Sequence, residues 1–395
     1  MSKPLGGLRV IDLTRVLAGP FCTMLLADMG ADVVKVENPK GGDDSRAYGP
    51  YKNGISAYYM GLNRSKRSVT LNLKEERGRE ILKKLAAGAD VLVENYKPGT
   101  MAKLGLNYEI LHEINPKLIY AASSGFGQYG PYSSKAAYDL IVQGLSGFMS
   151  ITGFDAAHPT KAGSSIADVF AGVFTAIGVL AALEHRRKTG EGQMVDVAML
   201  DCMIATLENA VAFYDCTGKS PEPIGNVHRS ICPFATFPTA DGQVNICAGN
   251  DELWARLCKV LGMEEYISDE RFVDNISRLH NFKELFPIMS EYTTKKTTEE
   301  WTQALEAVKV PCGAIMDMEH VFTDPQVKAR EMIVELMHPE AGRLLVPGVP
   351  IKFSETPASI QSPAPALGEH NAEVFGGELG IGSEELERLR ADGVI

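Results

Sequence analysis

This sequence predicts an α/β fold: a mostly parallel sheet covered by helices, joined to a smaller α+β domain. Three observations carry that expectation. Strand-like and helix-like segments alternate through the first 125 residues. The first strand–helix–strand unit closes within about 30 residues, the span of a parallel crossover. Beyond residue 216 the pattern changes to a short hairpin followed by helices, as in a separate α+β domain.

Taken in order, Arg9-Val-Ile-Asp-Leu13 reads as a buried strand. Gly19-Pro20 opens a helix, with proline at a permitted first-turn position, and Gly30 stops it. Asp32-Val-Val-Lys-Val-Glu37 is the next strand; Ser68–Leu73, Asp90–Glu94 and Lys117–Ala122 supply three more, with helical patterns over 76–87 and 108–114. From Tyr138 to Cys216 the chain reads as helical, interrupted by a strand at Gln193–Ala198. Ala235–Pro238 and Gln243–Cys247 flank the turn Ala240-Asp-Gly242 as a hairpin, and Thr297-Thr-Glu-Glu300 has the pattern of a capping box. Arg343–Val346 is strand-like, and a charged helix begins at Ser383. The expected organisation is a large domain over 1–216, a linker over 217–227, a small α+β domain over 228–325 and a tail over 326–395.

With 395 residues, 45% hydrophobic and 23% charged, the chain has room for a substantial core. A net charge of −11 argues against nucleic acid or an anionic membrane as partner, so a phosphate-bearing ligand needs a local basic cluster. The seven cysteines are scattered and never form a CxxC pair, which fits reduced thiols in a cytoplasmic protein. No signal-peptide pattern precedes the first strand, and the most apolar run, Val169–Leu183, is about 15 residues, short for a membrane span. The eight histidines show neither HxxxH nor HExxH spacing, so no metal site is expected.

Asp168, in Lys161-Ala-Gly-Ser-Ser-Ile-Ala-Asp168, is the main candidate for chemistry. It is a lone carboxylate opening a long apolar segment, with no further acidic residue before Glu184 and a basic end at His185-Arg-Arg-Lys188. In a first helical turn, free N–H groups and the helix dipole favour an ionised carboxylate. Both a helix cap beside Ser164 and Ser165 and a nucleophile fit that position. Asn63-Arg-Ser-Lys-Arg67 with Lys74, Lys97 and Lys103 forms a basic cluster near strand ends, suited to phosphates or to a solvated patch. Gly125-Phe-Gly-Gln-Tyr-Gly130 matches GxGxxG, but Pro131 follows where a dinucleotide site needs a helix. Gly163-Ser-Ser165-Ile-Ala lacks the preceding strand of a hydrolase elbow, and Cys232 reads better as a buried structural cysteine than as a reactive thiol.

Taken together, Leu5–Pro20, Leu26–Glu37, Asn63–Ser68, Val93–Gly99, Ser124–Pro131 and Lys188–Gln193 resemble the class III CoA-transferases, the family that includes formyl-CoA and carnitine-CoA transferases. The resemblance covers nearly the whole chain. It implies a Rossmann-like large domain to which both chain ends return, a small domain, and two subunits interlocked as an obligate homodimer. It assigns the nucleophile to Asp168 and CoA contacts to Val16, Ala18, Leu71, Lys74, Asn95, Tyr96, Lys103 and Tyr138. Asn38 and Ala136 depart from basic residues that some members place around the adenosine phosphate. The substrates implied are an acyl-CoA and a carboxylic acid, with no cofactor beyond CoA itself and no metal. A racemase of the family needs a histidine in a Gly-His-Asp motif, where this chain has Ala137-Tyr-Asp139, so two-base proton exchange lacks a partner. A thioesterase would rest on Ser165 instead. His228–Pro233 and Ala248-Gly-Asn-Asp251 look closest to enzymes moving CoA between succinyl-CoA and dicarboxylates such as glutarate, for which Arg46 and Arg229 are candidate partners of a distal carboxylate.

Overall fold

Continuous β-branched runs such as Val33-Val-Lys-Val36 suit strands buried on both faces, and the chain uses them so. In the computed structural model, which describes residues 3–395, six strands form one all-parallel sheet. They are β1 (Arg9–Asp12), β2 (Asp32–Glu37), β3 (Lys66–Thr70), β4 (Val91–Glu94), β5 (Ile119–Ser124) and β6 (Met194–Ala198), in the order 3-2-1-4-5-6. Successive side chains alternate between faces. Ile11, Val34 and Leu92 join a core with Leu82 and Leu85, while Val10, Val33 and Val91 pack with Leu26, Ala176 and Val179. The helices that position the site are α1 (Ala18–Asp28), α2 (Ala57–Asn63), α3 (Glu76–Ala87), α4 (Asp139–Leu145) and α5 (Ile166–Thr189).

The third strand begins at Lys66 and ends at Thr70, offset from the Ser68–Leu73 expected from periodicity. Its basic residues, expected to flank the strand, lie within it and are paired: Lys66 Nζ is 3.0 Å from Asp12 with both side chains buried, and the partly exposed Arg67 is 2.6 Å from Asp32. Burial pushes the Asp12 carboxyl up, but Lys66 and Lys35 outweigh it and hold the group below the usual carboxylate range. Arg64, just past α2, meets Asp28 at 2.8 Å with both side chains buried. Asp28→Ala would leave that guanidinium without a counter-charge. It is expected to lower the unfolding free energy by about 3–5 kcal/mol, checked by urea denaturation.

Helix α5 runs 24 residues, longer than the apolar run read from sequence, and is long and apolar enough to cross a membrane by length and composition. In this chain it lies against α1, β5 and β6 through the small buried side chains Ala167, Ala171, Thr175 and Ala176. Gly172 marks the closest approach: a Cβ there would meet the Ala18 carbonyl at 2.7 Å. Its opposite face leaves Ile177 54% exposed.

The chain divides into two compact units. The first holds the sheet, with the chain up to Phe148, Lys161–Ala212 and Pro325–Ile395. Its last segment adds an antiparallel hairpin, Ile333–His338 with Gly342–Pro347, whose first strand periodicity does not reveal. Val374, Phe375, Leu389 and Val394 complete the core around Ile11. The second unit comprises Met149–Thr160 and Phe213–Asp324, so it begins before the 217–227 stretch read as a linker and takes in a segment ahead of α5. There Phe234–Pro238, Gln243–Cys247 and Cys312–Ala314 form an antiparallel sheet, the first two as the expected hairpin. Trp254, Leu285, Met289 and Trp301 pack with Phe237 beneath it, and the Thr297–Glu300 capping box is formed.

Candidate active site

In a 3-2-1-4-5-6 sheet the chain leaves β1 and β4 in opposite directions, so a crevice opens beyond their carboxyl ends. Here the loops after these strands line a cavity of about 300 Å³ that includes Arg15, Val16, Ala18, Asn95, Tyr96, Tyr138 and Asp168. A second cavity, about 340 Å³, shares Arg15, Asp44 and Tyr96 with it and adds Asn38, Lys40, Leu71 and Lys74. Most of the sequence-derived candidates therefore line two adjoining cavities beyond the carboxyl ends of the strands.

Asp168 is the third residue of α5, in its first turn. Burial first, and the charge of Asp139 second, push its carboxyl up to about 7. Asp139, at the start of α4, is tied to the approach to α5. Its Oδ1 accepts the Ala167 N–H at 2.9 Å and its Oδ2 accepts Gln143 Nε2 at 2.6 Å; Gln143 Oε1 in turn accepts the Ala162 N–H at 2.9 Å. Burial, then the Asp168 charge, pushes the Tyr58 phenol up to about 12, so it stays a protonated hydroxyl. Tyr96 is seated by Glu94, whose buried carboxylate, pushed up to about 7, accepts the Tyr96 N–H at 2.7 Å. Asn95 grips the backbone of Arg15 on both sides, accepting its N–H and donating to its carbonyl, each at 2.8 Å.

Three candidates line neither of these cavities. Arg46 is bidentate on Glu37, both contacts at 2.8 Å, with its guanidinium carbon 3.8 Å above the Tyr59 ring; it is an internal ion-pair member rather than a free carboxylate clamp. Arg229 belongs to the second unit, lining a cavity of about 290 Å³ with Phe213, His228 and Phe282. Lys103 is exposed on Thr100–Lys103 and lines neither cavity of the first unit. Arg64, Lys66 and Arg67 of the basic cluster pair with Asp28, Asp12 and Asp32, so the phosphate reading fails for them. Arg15, Lys97 and Lys135 supply the basic lining of the first cavity instead. Arg15 could have been found from its place in the loop after β1; nothing in the sequence marks Lys135.

Several competing chemistries lose their geometry. Ser165 follows irregular chain rather than a strand, so no nucleophile elbow forms. The Gly125–Gly130 loop follows β5 and leads to no helix before Asp139. Burial pushes the Cys232 thiol up to about 12, which leaves it inert. Among the described residues no three His, Cys, Asp or Glu side chains converge as a metal set.

Comparison with known proteins identifies the family. Residues 5–371 match the model of CoA-transferase family III. The chain is 46% identical over 383 residues to a succinate–glutarate CoA-transferase of Agrobacterium fabrum, covering 95% of each protein. It is 43% identical to an acetyl-CoA:oxalate CoA-transferase of Acetobacter aceti, covering 93% of this chain and 94% of the other. A crystal structure of a CAIB/BAIF family protein from Brucella suis superposes with a TM-score of 0.87 at 40% identity, covering 95% of this chain and 100% of that one. With the family model spanning almost the entire chain, the protein belongs to CoA-transferase family III.

Proposed function

We propose that this enzyme moves CoA from succinyl-CoA or a similar acyl-CoA to a small dicarboxylate, with Asp168 as the covalent carrier. The observation that carries this reading is the Asp168 carboxylate itself. It lies in the wall of the switch-point cavity, in a first helical turn, with burial and Asp139 raising its proton affinity. The Asp168 carboxylate attacks the thioester carbonyl; the C–S bond breaks, giving an aspartyl–acyl anhydride and CoA thiolate. The thiolate attacks the aspartyl carbonyl and expels the donor as its carboxylate, leaving an aspartyl-CoA thioester. The acceptor carboxylate attacks that thioester, forming a new anhydride and releasing thiolate. The thiolate then takes the acceptor acyl group and frees Asp168. Covalent transfer conserves the thioester free energy that hydrolysis would lose. Val16, Ala18, Asn95, Tyr96 and Tyr138 in the first cavity, and Leu71 and Lys74 in the second, are the proposed CoA contacts. The acceptor class rests on the names of relatives, which specify glutarate in one case and oxalate in another.

A second copy is the proposed cover for the apolar side chains left exposed on α4 and α5, among them Leu140, Ile141, Leu145 and Ile177. A cytoplasmic setting is proposed from the seven cysteines, all free. The test of function is intact-protein mass spectrometry after mixing with succinyl-CoA. An adduct on the wild type, absent from Asp168→Ala and discharged by glutarate or oxalate, is expected. CoA release without an adduct, or α-proton exchange in deuterated water without an acceptor, would move the enzyme to a hydrolase or a racemase.

A further inference from the structure

The turn between β1 and α1 forms one wall of the Asp168 cavity, and it is strained. Val16 has φ of 66°, left-handed backbone that a β-branched residue rarely adopts. Such a conformation persists only where the surroundings over-determine it. Here each backbone polar group from the Thr14 carbonyl to the Val16 N–H has a side-chain partner. Lys35 Nζ donates to the Thr14 carbonyl at 2.8 Å, Asn95 takes both groups of Arg15, and Asp43 Oδ1 accepts the Val16 N–H at 3.0 Å. Lys35 and Asp43 face each other at 2.8 Å, with side chains 0% and 1% exposed. The Asp43 loop is itself held: Asp43 donates its N–H to Glu37 Oε2 at 3.0 Å, and Arg46 grips the same carboxylate.

We propose that the buried Lys35–Asp43 pair is a positioning device for the transfer reaction, with Asp43, through its bond to the Val16 N–H, setting the strained turn against Asp168. This rests on the reading of Asp168 as nucleophile. Neither residue lines the Asp168 cavity, and although Asp43 lines the adjoining one its side chain is 1% exposed; the pair is not catalytic and acts through the backbone of Val16. The exposed alternative, Arg15 with Asp44 at the mouth of the cavity, is half-exposed on both sides and screened by water. Lys35 is well suited to the task. Burial lowers its proton affinity, but Asp12 and Asp43 more than reverse that, so it stays charged and Asp43 stays an anion. A turn that drifts by about 1 Å misaligns attacking and attacked atoms, a displacement worth on the order of 100-fold in rate.

The test compares Asp43→Ala, Asp43→Asn and Asp168→Ala in the full-length protein, reading the single-turnover rate of adduct formation from succinyl-CoA and, separately, the Kd for CoA. Asp43→Ala is expected to slow adduct formation about 10- to 100-fold, with a smaller loss of CoA affinity, below about fivefold, because Val16 is itself a proposed CoA contact. Asp43→Asn keeps an acceptor for the Val16 N–H and is expected to recover the rate to within about fivefold of wild type. A wild-type rate in folded Asp43→Ala overturns the proposal, as does a rate loss matched by an equal loss of CoA affinity. If Asp43→Ala does not fold, Asp43→Asn decides: a loss beyond about tenfold overturns the proposal. Adduct formation by Asp168→Ala is a separate failure, that of the nucleophile assignment.

Discussion

Asp168→Asn is expected to lower kcat/KM by about 10³- to 10⁴-fold while leaving CoA affinity within about threefold, a loss of about 4–5.5 kcal/mol in transition-state stabilisation. The amide matches the carboxylate in size but cannot attack a thioester to form an anhydride. Affinity should persist because the residues proposed to hold CoA come from the segments after β1, β4 and β5 and from the Leu71–Lys74 segment, not from α5. Steady-state kinetics set against calorimetric binding of CoA separate the two effects. Activity within tenfold of wild type would remove Asp168 from the mechanism and leave the cavity with no covalent carrier.

The second large effect is on pH. With its carboxyl pushed up to about 7 by burial and then by Asp139, Asp168 loses its nucleophilic form through the neutral range. Only the ionised form attacks, so kcat/KM for the acyl-CoA should fall about tenfold per pH unit below 7 and level off above about pH 8. A carboxylate at its ordinary 3.8 would leave the profile flat to about pH 5, and that result would contradict the buried setting. Stability follows with the opposite sign. A carboxyl whose folded pKa is raised above its unfolded value destabilises the fold when ionised. That penalty is complete above pH 7, shrinks as pH falls, and is absent below about pH 4. Asp168→Asn should therefore melt higher than wild type at pH 8, with the difference narrowing toward pH 4.

Much of this could be read from the chain because it is written in local patterns. Val10-Ile11 and Val33–Val36 are strands since only a doubly covered sheet accepts such runs. The helix over 18–28 follows from Pro20 and Gly30 flanking an apolar stretch. Asp168 in a first turn followed from a solitary carboxylate before a long run of small apolar residues. Where the reading missed, long-range partners decided. Arg46 and Arg67 carry the same charge as Arg15 in the sequence, but Glu37 and Asp32 claim the first two away from the cavity, whereas Arg15 pairs with Asp44, which lines it. Asp139 matched a family motif position in the sequence, but its charge beside Asp168 comes from packing rather than from spacing.

By itself, then, the sequence determined the alternation of strand and helix, the family, and the carboxylate at the head of α5. The tertiary structure decided the strand order, the crevice at its switch point, and which basic side chains face that crevice rather than a buried acid. The reason is physical. Periodicity reports on neighbours a few residues apart, whereas ion pairing depends on distance and desolvation between groups as remote in sequence as Asp12 and Lys66, which only the fold brings to 3.0 Å.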